Sequence, residues 1–180
     1  ADADRLVLID IDPTIARSIV RSGGPTGMLA SGISSEHWAP PETAQVEVTV
    51  AAKGGGSENK SKFVMLNPSD SIVDWVLKTV PTMGAGWCPP GMLGIGGGGT
   101  AEKAMLLAKE SLMEPLDMHE LLARGPQSKA DELRIELYEK VNALGIGAQG
   151  LGGLTTVLDV KIKLFPTHAA SKPVAMIPNC

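Results

Sequence analysis

A run of glycines between a strand pattern and a helix pattern constrains the fold of this chain more than any other feature. Gly91–Gly96 is short and apolar, as a strand is, and Thr100–Met113 is rich in Ala, Leu, Lys and Glu, which favour a helix. The glycine-rich segment Gly94–Gly99 joins the two patterns. A strand that passes directly into a helix indicates a domain built from layers of strands and helices.

The rest of the chain supports a layered domain, because strand and helix patterns interleave along it without a strict repeat. Short apolar or alternating runs predict further strands at 5–11, 45–52, 62–66, 159–164 and 173–177. A glycine-, serine- and proline-rich loop is predicted at 21–43. We therefore predict an α/β (α+β) fold in which a mixed β-sheet packs against helices.

Three further helices have recognisable start signals. A short helix is predicted from Pro13 to Val20, because proline is favoured in the first turn. Ser71 with Asp74, and Ser128 with Asp131, have the spacing of capping boxes. The helix after Ser71 is expected to run to about Val80. The helix after Ser128 has an apolar stripe that consists of Leu133, Leu137, Val141 and Leu144. It should end at Gly145, which occupies the C′ position.

The composition excludes several classes of protein. Hydrophobic residues make up 43% and charged residues 20% of the 180 residues, which is typical of a globular domain. The net charge of -4 and the pI near 5.4 provide no basic field for nucleic acid or an anionic membrane. No apolar run approaches the ~20 residues that span a bilayer. We therefore expect a cytoplasmic protein without nucleic-acid or membrane partners.

The two cysteines, Cys88 and Cys180, do not suggest a disulfide scaffold, which would need more cysteines in a shorter chain. One interpretation is that both are free thiols packed as small hydrophobic side chains. Cys88, however, is followed by Pro89 and Pro90, which predict an extended and rigid backbone. A thiolate held in such a segment is a candidate metal ligand.

Two glycine-rich segments are candidate anion sites. Gly94–Gly99 matches G-x-G-x-x-G before a helix, so a nucleotide-binding module is one alternative, although no acidic residue follows on a second strand about 20 residues later. Lys53–Lys60 combines three glycines, two lysines and an amide. Its backbone N–H groups and cations suit a dicarboxylate. The alternative for Lys53–Lys60 is a flexible hairpin loop.

His168 is the candidate acid–base residue, because the small residues around it in 166–170 leave its ring accessible after a predicted strand. A lone histidine is more often structural than catalytic, so a catalytic role requires a partner. Cys180, twelve residues later, is the candidate partner. His37 and His119 lack such a setting and are expected at the surface.

Four segments together resemble one family. They are KGGGSENKSKF at 53–63, GWCPPGMLGIGGGGTAEKAMLLAKE at 86–110, GIGAQGLGGLTTVLDVKI at 145–162 and PTHAASKPVAMIPNC at 166–180. These segments resemble the catalytic portion of class I fumarases and tartrate dehydratase α-type proteins. The resemblance extends over residues 45–180, which we interpret as a fumarase-type domain, and leaves 1–44 as an unaligned N-terminal segment.

The resemblance implies a hydro-lyase that reversibly hydrates fumarate to L-malate, or acts on a related dicarboxylate such as tartrate. Such enzymes use a [4Fe–4S] cluster held by three cysteines, and the fourth iron acts as a Lewis acid towards the substrate. Residue by residue, the resemblance implies that Cys88 and Cys180 are cluster ligands and that His168 is the active-site histidine. It also implies that Gly56, Asn59 and Lys60 contact the substrate.

The chain departs from the family pattern in three places. The first cluster cysteine of the family lies in a Cys-Gln-Asp-Thr-Gly motif, which this sequence lacks. The C-terminal domain or β subunit, which brings cationic side chains to the dicarboxylate, is also absent. Gly97 stands where the family usually has isoleucine. We therefore expect an incomplete enzyme that needs the missing upstream segment and the C-terminal domain or β subunit. The resemblance also implies a homo-oligomer.

Two hypotheses about function follow. The first is an iron–sulfur hydro-lyase; the alternative is a non-catalytic scaffold or fragment that keeps the fold without an active cluster. The hydro-lyase hypothesis predicts that the sulfurs of Cys88 and Cys180 lie within about 10 Å of each other, because ligands of one cluster converge. It also predicts that Lys53–Lys60 and His168 face the same cleft as these sulfurs.

Overall fold

The computed structural model describes residues 53–180, of which Gly54–Cys180 form one unit. The strands predicted at 5–11 and 45–52, the helix predicted from Pro13, the loop predicted at 21–43 and His37 lie outside the described residues. No helix in the described part of the chain is long and apolar enough to cross a membrane.

The described residues form four strands and five α-helices. The strands are β1 (Lys62–Leu66), β2 (Gly91–Gly97), β3 (Val157–Leu164) and β4 (Lys172–Asn179). The helices are α1 (Gly55–Glu58), α2 (Ile72–Thr79), α3 (Ala101–Ser111), α4 (Met118–Arg124) and α5 (Lys129–Ala143). Two 3-10 segments occupy Val80–Trp87 and Ala148–Gly150. The strands predicted at 62–66, 91–96, 159–164 and 173–177 are confirmed.

The four strands form one sheet in the order β1-β4-β2-β3. β4 runs antiparallel to both β1 and β2, whereas β2 and β3 are parallel. The sheet is therefore mixed, as predicted. Because β4 runs antiparallel to β2, the chain enters β4 beside the end of β2 and leaves it at Asn179, beside the start of β2.

Helices cover both faces of the sheet. On one face, α2, α5 and the 3-10 segment Val80–Trp87 bury a core around the sheet. Its largest fully buried side chains include Trp87, Met83, Leu93, Ile95 and Met176. On the other face, the small residues Ala104 and Ala108 of α3 pack against Ala175 and Ile177 of β4.

The glycines of β2 allow α3 to lie very close to the sheet. A Cβ atom built on Gly94 would lie 2.2 Å from the carbonyl oxygen of Ala108, and one built on Gly96 would lie 2.0 Å from that of Ala104. Any side chain at either position would therefore collide with the helix backbone. These contacts explain Gly94 and Gly96 by helix–sheet packing, without a bound nucleotide.

The helix ends follow the predicted signals. The Ser71 hydroxyl accepts a hydrogen bond from the N–H of Asp74 (3.2 Å), and the Ser128 hydroxyl accepts one from the N–H of Asp131 (3.1 Å). Helix α5 ends before Gly145, which has φ of +66° in the C′ position. Both capping boxes and the glycine stop are confirmed.

Two elements differ from the sequence interpretation. Helix α4 was not predicted, although its first turn is capped by the Asp117 carboxylate, which accepts from the N–H of Glu120 (2.8 Å). The spacing of Asp117 and Glu120 was the available signal. Helix α1 lies within Lys53–Lys60, where we predicted a turn or hairpin loop; the Ser57 hydroxyl donates to the Gly54 carbonyl (2.8 Å) and closes a helical turn.

A buried cluster of charges ties β3 to the helices. The Asp159 carboxylate accepts a hydrogen bond from Arg134 of α5 (3.2 Å) and contacts the Lys161 ammonium (3.0 Å). Arg134 also donates to the carbonyl oxygen of Leu116, and Lys161 donates to those of Glu114 and Leu116. One carboxylate therefore sits between two buried cations, which hold the segment between α3 and α4 against the sheet.

We expect Gly96→Ala to destabilise the chain by about 3 kcal/mol or more, because its new Cβ would displace the backbone of α3. Urea unfolding monitored by far-UV circular dichroism measures this change. Gly55→Ala is the matched control, since no atom lies within 4 Å of a Cβ there. Its free energy of unfolding should change by about 1 kcal/mol or less. Equal losses for the two variants would contradict the close-packing role.

We expect Asp159→Asn to lower the free energy of unfolding by ~3–5 kcal/mol, because it leaves Arg134 and Lys161 buried without their counter-charge. The control is Glu132→Gln, which breaks an exposed ion pair with Lys129 and should cost under ~1 kcal/mol. The same urea unfolding experiment compares the two. A loss for Asp159→Asn no greater than for the control would show that the buried cluster contributes little to stability.

Candidate functional site

The two cysteines lie at the same end of the sheet. Cys88 immediately precedes the segment that enters β2, and Cys180 follows the last residue of β4. β2 and β4 are antiparallel, and Met92 pairs with Asn179, so the start of one strand lies beside the end of the other. Both thiols are exposed. The structure therefore brings the two cysteine segments together, while the sulfur–sulfur separation of about 10 Å or less stays a prediction.

The backbone at Cys88 differs from the extended conformation that its prolines predicted. Cys88 has φ of 56° and ψ of 55°, in the left-handed region, and its N–H donates to the carbonyl oxygen of Ala85 (2.9 Å). The extended prediction is wrong because Cys88 ends the preceding 3-10 segment instead of continuing into a strand. A non-glycine residue in this region costs about 1–2 kcal/mol. Buried Trp87 next to it anchors the turn.

The glycine turn Lys53–Lys60 lies against both cysteine segments. A Cβ atom on Gly54 would lie 3.5 Å from Sγ of Cys180, and one on Gly56 would lie 2.8 Å from the carbonyl oxygen of Gly86. The Lys60 side chain also packs on Gly86, since its Cε would lie 2.7 Å from a Cβ there. The turn therefore lies at the cysteine end of the sheet, where the sequence predicted it.

An ion pair across the fold holds this turn in place. The Glu58 carboxylate of α1 accepts from the Lys109 ammonium of α3 (3.2 Å). Asn59 and Gly56 are exposed on the same turn, and Lys60 is half-buried. Sequence reasoning missed the contribution of Lys109, because 51 positions separate it from Glu58 and nothing in the local pattern links the two residues.

Three buried polar atoms in segments at the cysteine end of the sheet lack a hydrogen-bond partner among residues 53–180. They are the indole nitrogen Nε1 of Trp87, which precedes Cys88, Oδ1 of Asn179, which precedes Cys180, and Oγ of Ser61. Buried polar groups are almost always paired, so such groups indicate a bound water, ion or ligand. Two of the three atoms belong to the residues that directly precede the exposed cysteines in the chain.

Among residues 53–180, two side chains are candidate ligands for a bound metal group. Within residues 53–180, no set of three or more His, Cys, Asp or Glu side chains is arranged to hold a metal ion. Cys88 and Cys180 are the candidate ligands, because thiolates are the usual ligands of iron–sulfur clusters. A group that needs three such ligands would take the third from outside residues 53–180 or from another chain.

His168 lies at the opposite end of the sheet from the cysteines. It belongs to the connection between β3 and β4, and Thr167 beside it donates to the carbonyl oxygen of Gly99, just beyond the end of β2 (3.0 Å). The length of β2 therefore separates His168 from Cys88, which is about 20 Å at ~3.3 Å per residue. The expectation that His168 faces the same cleft as the sulfurs of its own chain is wrong, because β4 carries the chain along the whole sheet before Cys180.

The His168 ring is exposed, and its Nδ1 accepts a hydrogen bond from the N–H of Ala170 (3.1 Å). In the neutral ring this hydrogen bond leaves the proton on Nε2, which can then act as a donor. His119 is also exposed, as predicted. The side chain of His168 is thus available to another molecule, although not to the cysteine end of its own chain.

The glycine run at the end of β2 is poorly suited to a phosphate. Hydrogen bonds from its own backbone N–H and from the Thr100 hydroxyl lower the pKa of Glu102, which lies in the first turn of α3. A carboxylate therefore already occupies the position where an anion would bind at a helix N-terminus. Together with the packing role of Gly94 and Gly96, this arrangement argues against the nucleotide-binding alternative.

Comparison with known proteins identifies relatives over most of the chain. A putative L(+)-tartrate dehydratase subunit alpha from Methanocaldococcus jannaschii is 43% identical over 139 residues, which cover 76% of this chain and 47% of that protein. The L(+)-tartrate dehydratase subunit alpha from Escherichia coli K12 is 32% identical over 165 residues, which cover 89% of this chain and 52% of that protein. The chain therefore spans about half the length of the curated relatives that it matches.

A family described as Fumarate hydratase (Fumerase) matches residues 33–180. This match begins before the described residues and includes every candidate site residue, among them Cys88, His168 and Cys180. It agrees with the resemblance found in the four sequence segments and with the names of the relatives. From the extent of this match and the identity to the tartrate dehydratase subunits, we conclude that the chain belongs to the fumarate hydratase family.

Proposed function

We propose that this chain is the cluster-binding part of a hydro-lyase that reversibly hydrates fumarate or dehydrates a related dicarboxylate such as tartrate. The observation that carries the proposal is the meeting of Cys88, Cys180 and the glycine turn at one end of the sheet. Family membership and relatives described as tartrate dehydratase subunits support the same reaction class. The proposed cofactor is a [4Fe–4S] cluster.

Cys88 and Cys180 would hold this cluster, together with a third ligand from outside the described residues. When bound, the cluster supplies a Lewis acid towards the hydroxyl or carboxylate of the substrate. Cys88 has a left-handed backbone and an exposed thiol next to buried Trp87, and Gly54 lies beside the Cys180 thiol, since a Cβ atom there would be 3.5 Å from its Sγ. The unpaired indole N–H of Trp87 and the unpaired amide oxygen of Asn179 would form hydrogen bonds with polar groups around the bound cluster or with ordered water.

The glycine turn would bind one carboxylate of the substrate. The N–H of Gly56, the Asn59 amide and the Lys60 ammonium are donors in a turn whose small residues allow close approach. A charged donor beside neutral donors strengthens binding of a carboxylate. The ion pair between Glu58 and Lys109 fixes the orientation of this turn against α3.

The proposed assembly contains more than one chain. The relatives are described as alpha subunits, so we propose a β-type partner chain or a C-terminal domain that provides further cations for the dicarboxylate. We also propose a homo-oligomer, since His168 can join the cysteine end only from a second copy of the chain. Its Nε2 would then donate to or accept from the substrate hydroxyl.

Two exposed thiols persist best in the reducing cytoplasm, which is the proposed location.

Reconstitution with iron and sulfide under anaerobic conditions tests the cluster ligands. The 180-residue chain alone should bind substoichiometric iron that oxygen removes quickly, because one thiolate of the usual three is missing. Cys88→Ser and Cys180→Ser should each lower the iron and sulfide content further. His119→Ala, at an exposed position away from the site, is the control. Iron contents of both cysteine variants equal to the control would refute the assignment.

Mixing of inactive variants tests whether His168 acts from a second copy, in the complete complex with its partner chain. His168→Ala and Cys88→Ala copies should each be inactive, and their co-assembled mixture should regain about a quarter of full activity, since half of the dimers are mixed and each has one intact site. Asn59→Ala mixed with Cys88→Ala is the control. Asn59 and Cys88 lie at the same end of one chain and therefore contribute to the same site. Each of the two sites in a mixed dimer then carries one of the two substitutions, so activity should stay absent.

A further inference from the structure

Two residues with a left-handed backbone lie close together at the cysteine end of the sheet. Among residues 53–180, Cys88 and Gln149 are the two non-glycine residues with positive φ, at 56° and 55°. The N–H of Gln149 donates to the carbonyl oxygen of Pro89 (2.7 Å), which attaches Gln149 to residues 85–89, here called the Cys88 turn. Such backbone angles are uncommon outside glycine and are concentrated at functional sites.

Glycine would fit position 149 better than glutamine does. Gln149 has φ of 55° and ψ of 19° within the 3-10 segment Ala148–Gly150. The other residues of 145–153 that have positive φ are all glycines. Glycine adopts these angles without a steric cost, whereas a residue with a Cβ atom does not. The strained backbone at position 149 is therefore consistent with a side chain that makes a contact outside the loop.

The amide of Gln149 is available for such a contact. The residue is exposed, and its hydrogen bond to Pro89 is made by the backbone N–H and leaves the side chain free to act. A glutamine amide offers two N–H donors and one carbonyl acceptor to a ligand. Because the amide is uncharged, removing water from it on binding costs less than removing water from an ionised group.

The loop that carries this residue is closed on itself. The N–H of Gly152 donates to the carbonyl oxygen of Ile146 (2.7 Å). A Cβ atom built on Gly147 would lie 2.2 Å from the carbonyl carbon and oxygen of Gly152, so the two ends of the loop are in contact. An ordered loop lowers the conformational entropy that is lost when its side chains bind a ligand.

The loop and the glycine turn both contact the Cys88 turn. A Cβ atom built on Gly150 would lie 3.7 Å from Cβ of Ala85. A Cβ atom built on the next residue, Gly86, would lie 2.7 Å from Cε of Lys60 in the glycine turn. Gln149 and Lys60 therefore lie beside the same short segment, which also carries a candidate cluster ligand.

We propose that the side chain of Gln149 binds a carboxylate of the dicarboxylate substrate, an inference that rests on the proposed function. The glycine turn with Lys60 would bind one carboxylate, and Nε2 of Gln149 would donate to the other. Hydrogen bonds to a charged acceptor are stronger than those between neutral groups. Residues 145–156 contain no Asp or Glu, so no fixed negative charge in this segment repels the substrate.

Succinate tests the contact without turnover, because this four-carbon dicarboxylate has no double bond to hydrate. Calorimetry on the complete complex with its partner chain should show that Gln149→Ala raises the Kd of succinate at least ~10-fold, since a hydrogen bond to a charged group is lost. The KM of fumarate should rise by a similar factor while kcat stays within about 3-fold, as expected for a contact made equally in the ground and transition states. Gln149→Glu should weaken binding further, through repulsion.

Gln127→Ala is the matched control. Gln127 is also exposed, and it lies in the connection between α4 and α5. Its replacement should leave the Kd of succinate and the KM of fumarate unchanged. A Kd for Gln149→Ala equal to that of the control would overturn the proposed contact.

A second comparison separates the amide from the backbone of the loop. At position 149, glycine should unfold at a higher urea concentration than alanine, because it relieves the positive φ; at position 127, which lacks positive φ, the order should reverse. Gln149→Gly and Gln149→Ala should nevertheless lose the same affinity for succinate, since both lack the amide. Full affinity of the folded Gln149→Gly variant would show that loop shape, and not the amide, decides binding, and would refute the proposal.

The two proposals fail in different ways. If succinate binding depends on Gln149 but the complex holds no iron and hydrates no fumarate, the carboxylate contact stands and the hydro-lyase proposal is refuted. If the complex hydrates fumarate and the Gln149 variants bind succinate as the unmodified complex does, only the contact is refuted. A complex that neither binds succinate nor hydrates fumarate would refute both.

Discussion

The close approach of α3 to β2 is the contact on which the rest of the fold depends. Gly94 and Gly96 leave no side chain between the strand and the helix backbone, so Ala104 and Ala108 lie directly on the sheet. This packing buries one face of the central strands with few large side chains, which suits a chain with only 3% aromatic residues. It also brings Lys109 of α3 within reach of Glu58, and so connects the core to the glycine turn at the candidate site.

The direction of β4 decides which candidate residues meet. An antiparallel strand that starts beside the end of β2 and finishes beside its start separates His168 from Cys180 by the full length of the sheet. The same reversal brings Cys180 to Cys88 and to the glycine turn. The candidate site therefore combines segments distant in sequence, whereas a residue only twelve positions from Cys180 lies at the far end.

Local patterns predicted the secondary structure well where side chain and backbone interact within one turn. The hydroxyls of Ser71 and Ser128 cap their helices, and Gly145 stops α5, because these effects involve residues three or four positions apart. Predictions were weaker where neighbours in space decided the outcome. Cys88 adopts a left-handed conformation because it ends a 3-10 segment anchored by Trp87, and prolines alone carry no information about that anchor.

By itself, the sequence determined the interleaved strands and helices, the caps, and the segments that carry thiols, glycines and histidine, because these depend on residue type and short spacing. The resemblance of those segments also indicated the family. Only the tertiary structure decided which of them meet: Cys88, Cys180 and Lys53–Lys60 at one end, and His168 at the other. The order and direction of strands arise from long-range packing, such as α3 on the glycines of β2, and no local pattern encodes that pairing.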